Sequence, residues 1–133
     1  LAALSVANGA FAAHGLEKQL LAVYAGSPEL IGPRMQQYET GVRYQMYHAV
    51  GLMLLGVVAV RKPTPLWHLA GFGFVAGGIL FSGMLYILAL TDTPRLGAIV
   101  PIGGAEFLVV WLGLAGGAFT ALREERASNE EQQ

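Results

Sequence analysis

The sequence has no cysteine, which excludes disulfides, thiolate catalysis, zinc knuckles and iron–sulfur clusters. Charge is the next scarcity. Eight Lys and Arg stand against nine Asp and Glu, so charged residues fill only 13% of the 133 positions and the net charge is −1. Soluble domains carry about a quarter charged residues, and a nucleic-acid binder needs a basic surface. Neither class fits, and nucleic acid is excluded as a partner. Apolar residues are what the chain has in abundance. They reach 54%, with 18 glycines and a mean hydropathy of +0.51. The length suits one domain, and the composition is that of a small integral membrane protein whose first partner is lipid.

The charges leave long gaps. Residues 63–91 form a run of 29 without Asp, Glu, Lys or Arg, and residues 96–122 a run of 27 broken only by Glu106. Residues 44–60 add 17 more, and residues 1–16 add 16. A helix needs about 20 apolar residues to cross a hydrocarbon core of ~30 Å. Two runs pass outright, and the 44–60 run passes if its helix begins near Met35 or Tyr38. The first run is short, and the opening at Leu1 without a Met implies upstream residues that lengthen it. A signal peptide is the rival reading there, since Ala10-Phe11-Ala12 fits a cleavage site, but no basic leader is visible and Asn8 interrupts the apolar stretch. The sequence thus predicts an all-α integral membrane bundle of four transmembrane helices.

Turn residues divide the runs. Gly15 closes the first helix, Gly26-Ser27-Pro28 and Gly32-Pro33 mark a long first loop, Pro63 and Pro65 end the second helix, and Thr91-Asp92-Thr93-Pro94 makes a short turn. The expected helices are therefore about 1–15, 35–61, 65–91 and 95–123. Residues 1–122 form the membrane domain and 123–133 a polar, frayed tail. Basic residues tie four against four: Arg61, Lys62, Arg123 and Arg126 on one side, Lys18, Arg34, Arg43 and Arg95 on the other. The first set lies in a tight loop and beside a helix end, where the positive-inside bias acts most strongly. Both termini are expected inside.

Helices in lipid pack through small residues. Gly73 and Gly77 form a G-x-x-x-G pair, as do Gly113 and Gly117, and Gly78 shares a small face with Gly71 and Ser82. The third helix, with two small faces, is expected to be central. Polar residues inside membrane helices are costly and turn inward. In the second helix Gln37, Thr40, Tyr44, Tyr47 and His48 share one face, with Gln45 beside it. In the first, Ser5, Asn8, Gly9 and Ala12 share another. The expected polar seam is Asn8, His14, Thr40, Tyr44, Gln45, His48 and Glu106. His14 and the Thr40–Tyr44–His48 face are expected to converge at one membrane surface. Glu106 should face the bundle, neutral or paired with Asn8, Tyr86 or a histidine.

The stretches Gly9–Leu16, Tyr38–Ala49, Phe81–Thr91 and Pro101–Gly104 resemble the transmembrane protein 256 / YgdD family, whose motifs occur in this order. The resemblance implies a four-helix protein of bacterial inner membranes, or of the mitochondrial inner membrane in a eukaryote, without an assigned activity. Ala12 stands where the family has Gly, the first loop is longer, and Glu106 replaces an apolar residue.

No nucleophile elbow, zinc-protease, P-loop or dinucleotide fingerprint occurs. Two histidines can ligate haem axially, but His14, His48 and His68 include no pair four residues apart, a zinc site wants three or four converging ligands, and helix-end histidines more often cap carbonyls. No enzyme activity, cofactor or metal is expected. Two functions remain. One is a structural or accessory component of a membrane assembly, as a homo-oligomer or a subunit of a larger complex. The other is an oligomeric small-solute or ion transporter with the polar seam as its path.

Overall fold

The computed structural model describes residues 1–61 and 64–131, and every regular element among them is helical. The chain opens with α1 (Ala2–His14). Gly15 stops it, sending its N–H back to Phe11 O at 2.8 Å. A Cβ on Gly15 would stand 2.9 Å from the Phe11 ring, an exposed side chain that would have to turn aside.

The next segment differs from expectation. Where turn residues predict a loop, α2 (Leu16–Val23) forms. Leu16, Leu20 and Tyr24 recur at helical spacing and are all buried, while Glu17 and Lys18 stay exposed. This is a short amphipathic helix laid on the bundle, and the turn residues that predict the loop begin only beyond it, at Gly26. A 3₁₀ turn (Pro28–Leu30) then leads into α3 (Ile31–Arg61), four residues earlier than expected. Pro33 does not interrupt α3, because the first turn of a helix needs no donor from it.

Thr64 caps α4 (Pro65–Gly78), accepting from the Trp67 N–H, and Pro65 takes the first helical position. The helix runs through a π segment (Ile79–Gly83) into α5 (Met84–Thr91). Asp92 ends it in the left-handed conformation, φ 47°. A 3₁₀ turn (Pro94–Ala98) starts α6 (Val100–Glu131), which continues as helix through the residues expected to fray. Lys62, Pro63, Gln132 and Gln133 lie outside the described residues, with the expectations placed on them.

Two stretches, Pro65–Thr91 and Pro94–Glu130, are long and apolar enough to cross a membrane. At 1.5 Å per residue α3 spans about 46 Å, but its first half is polar. The short α1 covers about 20 Å.

The packing places α3 and the α4–α5 rod at the centre. On one flank α1 packs against α2 and α3 and makes no extended contact with α4; on the other α6 packs against α4 and the π segment. The expected central third helix thus shares its place with α3. One core gathers Leu55, Trp67, Ala70, Phe74, Phe107 and Val110. A second, at the other end, gathers Leu16, Leu20, Tyr24, Tyr38 and Ala89.

Candidate functional site

The buried face of α3 carries Tyr38, Gly41, Gln45 and His48, spaced three or four residues apart. Each meets a partner from another helix. The Tyr38 hydroxyl donates to Asn8 Oδ1 at 3.0 Å, and Ser5 Oγ donates to the Val42 carbonyl at 2.8 Å, which ties α1 to α3. The Tyr86 hydroxyl donates to Gln45 Oε1 at 2.7 Å, and Gln45 Nε2 donates to the Leu1 carbonyl at 3.0 Å. Gln45 therefore links α5 through α3 to the start of α1. The Tyr38 and Tyr86 rings pack with centroids 4.6 Å apart. Gly41 admits Tyr86: a Cβ there would stand 2.8 Å from the Tyr86 ring and 3.3 Å from the Ser82 carbonyl.

His48 is buried, at 4% exposure. Its Nδ1–H donates to the Tyr44 carbonyl, so the neutral ring presents Nε2 as an acceptor. The ring stacks on Phe107, their planes 6° apart. Beside it opens a cavity of about 260 Å³ between α1, α3 and the α4–α5 rod, lined by Asn8, Gln45, His48 and Tyr86 together with Leu1, Leu4, Phe74, Gly78, Ile79 and Gly83. The π segment forms part of this wall. Such segments interrupt an α-helix at some cost and cluster at functional sites.

The π segment also sets the approach of α6. A Cβ on Gly103 would lie 2.6 Å from Phe81 N and 2.9 Å from Leu80 C, both backbone atoms. Ser82, within the segment, is 1% exposed, and its hydroxyl finds no partner among the described residues. Glu106 lies one helical turn along α6 from Gly103. Its carboxylate rests on the glycine pair of α4: a Cβ on Gly77 would stand 2.6 Å from Oε2, and one on Gly73 would stand 3.2 Å from Oε1. Oε2 is buried without a hydrogen-bond partner among the described residues.

A second polar cluster lies at the α2 end. Arg34 is buried; its Nη2 pairs with Asp92 Oδ1 at 2.9 Å and its Nη1 donates to Gln37 Oε1 at 3.0 Å. The guanidinium lies over the Tyr24 ring, 5.5 Å from its centroid, and the Tyr24 hydroxyl donates to the Ala89 carbonyl at 3.0 Å. In the sequence Arg34 stands only as one basic residue among four, and this clasp is not foreseen. Its signal is the Leu16–Leu20–Tyr24 stripe, which brings an aromatic ring to the turn where Asp92 ends α5.

The expected seam is therefore divided. Asn8, Gln45 and His48 come together at the cavity, and Tyr86 completes the group. Thr40 and Tyr44 do not join it: Tyr44 is exposed, and Thr40 donates to the Gln36 carbonyl while accepting from Arg43 on the outer face. The buried stripe is rotated by about one position from the expected one, because Tyr38 and Gly41, not Thr40 and Tyr44, face α1 and α5. His14 is exposed and apart from His48. The pairs Leu1–Gln45, Ser5–Val42 and Asn8–Tyr38 set α1 antiparallel to α3 in a register that puts His14 near residue 32. His48 is then about 24 Å farther along the helix axis, and the expected convergence is not formed. Glu106 sits on the α4–α6 seam, bonded to none of Asn8, Tyr86 or a histidine. Of the packing glycines, Gly73, Gly77 and Gly117 are in close contact, Gly117 against the Trp67 ring. At Gly78 and Gly113 an added Cβ would meet no atom within 4 Å, since Gly78 faces the cavity side and Gly113 is exposed.

The chain is similar to known sequences over most of its length. Residues 8–104 match a family described as "Protein of unknown function (DUF423)". A UPF0382 membrane protein of Staphylococcus haemolyticus is 44% identical over 111 residues, 84% of this chain and 82% of the relative. The UPF0382 membrane protein YwdK of Bacillus subtilis is 42% identical over 113 residues, covering 84% and 83%. The UPF0382 inner membrane protein YgdD of Escherichia coli is 35% identical over 120 residues, covering 90% and 83%. No solved structure matches.

Proposed function

This chain belongs to the DUF423 family, membrane proteins of unknown function, and we propose that it is a structural or accessory component of a membrane assembly, working without turnover. The observation that carries this reading is the linkage of its interior polar groups. Ser5, Asn8, Tyr38, Gln45 and Tyr86 bond across α1, α3 and α5, so they serve to fasten helices. Interhelical hydrogen bonds of this kind contribute roughly 0.6–2 kcal/mol each in a membrane.

The proposed frame is four spans in a bacterial inner membrane with both termini inside: α1, α3, the α4–α5 rod and α6. The name of the Escherichia coli relative supports the location. Arg61 at the end of α3, the Lys62 that follows it in sequence, and Arg123 and Arg126 on α6 support the orientation. An apolar groove of about 200 Å³ where α3, α4 and α6 meet, lined by Gly51, Leu54, Trp67, Trp111 and Leu114 among others, leaves room for a lipid chain end or a side chain of a neighbouring helix. A transport path is the weaker reading, because Glu106 and the Asn8–Gln45–His48 group lie on different seams.

The test is gentle extraction of the protein from native membranes and mass identification of co-migrating chains. A reproducible partner set, or a defined homo-oligomer without conductance in liposomes, supports the accessory role. Solute or ion flux through the purified protein overturns it.

A further inference from the structure

We infer that Glu106 is a proton-binding site at the lipid-facing edge of the bundle. It is a carboxylic acid that holds its proton at neutral pH in the seam between α4 and α6, and it is reached from lipid, not from water. The inference needs α6 to lie in the membrane and is independent of the accessory role.

The sequence isolates this group. Between Arg95 and Arg123 no other Asp, Glu, Lys or Arg occurs. Glu106 lies about 9 Å along α6 from Val100, inside the stretch Pro94–Glu130 that is long and apolar enough to cross a membrane. Packing then seats the carboxyl in a notch. Gly103, Phe107 and Val110 on one side of it are buried, whereas Ile102 and Val109, one turn either way along α6, are exposed. Glu106 stands on the border between these faces and is half-buried. The missing side chains of Gly73 and Gly77 make the notch, since a Cβ on them would stand 3.2 and 2.6 Å from the two carboxylate oxygens.

No countercharge meets it there. Among the described residues Oε2 has no hydrogen-bond partner, and no ion pair includes Glu106. On α4 the one titratable side chain is His68, which is exposed and donates from Nδ1 to the Thr64 carbonyl at the start of that helix. The π segment supplies none. From α3, His48 packs on the Phe107 ring and is held through Nδ1 by the Tyr44 carbonyl. An isolated carboxylate taken out of water neutralises instead of staying charged, and ionisable groups within membrane helices serve as proton carriers.

The test reads the proton and the access separately, on the full chain in lipid nanodiscs at neutral pH. Infrared spectroscopy should show the carbonyl stretch of a protonated carboxylic acid, and Glu106→Gln should lose it. Dicyclohexylcarbodiimide, which dissolves in lipid, should modify Glu106. The carboxyl O–H adds across one C=N bond, the acyl group migrates to nitrogen and nothing leaves, so peptide mass mapping finds an N-acylurea on that residue. A water-soluble carbodiimide should modify the exposed Glu17, Glu29, Glu39 and Asp92 and spare Glu106. If Glu106→Gln does not fold, the unaltered chain suffices, since forming the adduct should itself remove the acid band. A spectrum without that band overturns the inference, because Glu106 is then ionised. The band without an adduct also overturns it, because the acid is then sealed from lipid, with α6 still in the membrane. Modification of Glu106 by the water-soluble reagent overturns it as well, and in that case α6 meets water at this level and its span fails too.

Discussion

Replacing Gly103 with alanine probes the close approach of α6 to the backbone of the π segment. The new Cβ would lie 2.6 Å from Phe81 N and 2.9 Å from Leu80 C, whereas carbon contacts settle near ~3.5 Å. The deficit is about 1 Å against main-chain atoms of a helix, which no rotamer change relieves. Either α6 moves away from the π segment or the segment reverts to α-helix, and both loosen the packing around Ser82 and Phe107. Overpacking of this kind costs about 1–3 kcal/mol. Alanine returns up to about 1 kcal/mol of helix propensity, so the expected net loss is about 1–2 kcal/mol. Gly113→Ala is the matched control, on the same helix with no atom within 4 Å of its Cβ. It should be neutral or stabilise by up to about 1 kcal/mol. Denaturant titration of the detergent-solubilised proteins, followed by circular dichroism, measures both. Equal stabilities for the two variants would refute the reasoning, since they share the propensity gain and differ only in what the methyl meets.

Three further outcomes are expected. Tyr86→Phe leaves Gln45 Oε1 without its donor and should cost about 1–2 kcal/mol in the same titration; a neutral result would mean the tie from α5 to α3 contributes nothing. Asp92→Gly keeps the left-handed turn but removes the Arg34 partner, which is half exposed on the Asp92 side; a loss below about 1 kcal/mol is expected, and Asp92→Val should lose more because φ 47° strains a branched residue. Leu20→Ala should destabilise by about 2–5 kcal/mol, as expected for a fully buried leucine, and a harmless substitution would mean α2 does not dock on the bundle.

The long apolar runs made the helical class legible, and the small faces foretold several contacts. Gly73 and Gly77 do lie against α6, and Ser5 and Asn8 do meet α3. Gln45 and His48 were readable as inward because polar groups in an apolar helix seek partners. Two features escaped for physical reasons. The stripe Leu16–Leu20–Tyr24 is only three positions long and interleaved with Glu17 and Lys18, so charge and turn residues masked a docked helix. The rotation of α3 depended on Gly41, whose lack of a side chain lets Tyr86 cross close to the backbone. A glycine inside a helix does not announce which neighbour it admits. The π segment has no sequence signature in Ile79–Gly83, and with it the cavity and the approach of Gly103 stayed hidden.

The absence of native cysteine allows the most direct test, single-cysteine labelling of the arrangement as four spans. Cysteines are placed at Ser27 and Thr93, in the α2–α3 and α5–α6 connections, and at Thr64 and Ser128, before α4 and near the end of α6. In intact cells a membrane-impermeant maleimide should label the first two, and should reach Thr64→Cys and Ser128→Cys only after the membrane is opened. Labelling of Ser27→Cys and Thr64→Cys from the same side would contradict a spanning α3, and with it the four-span bundle.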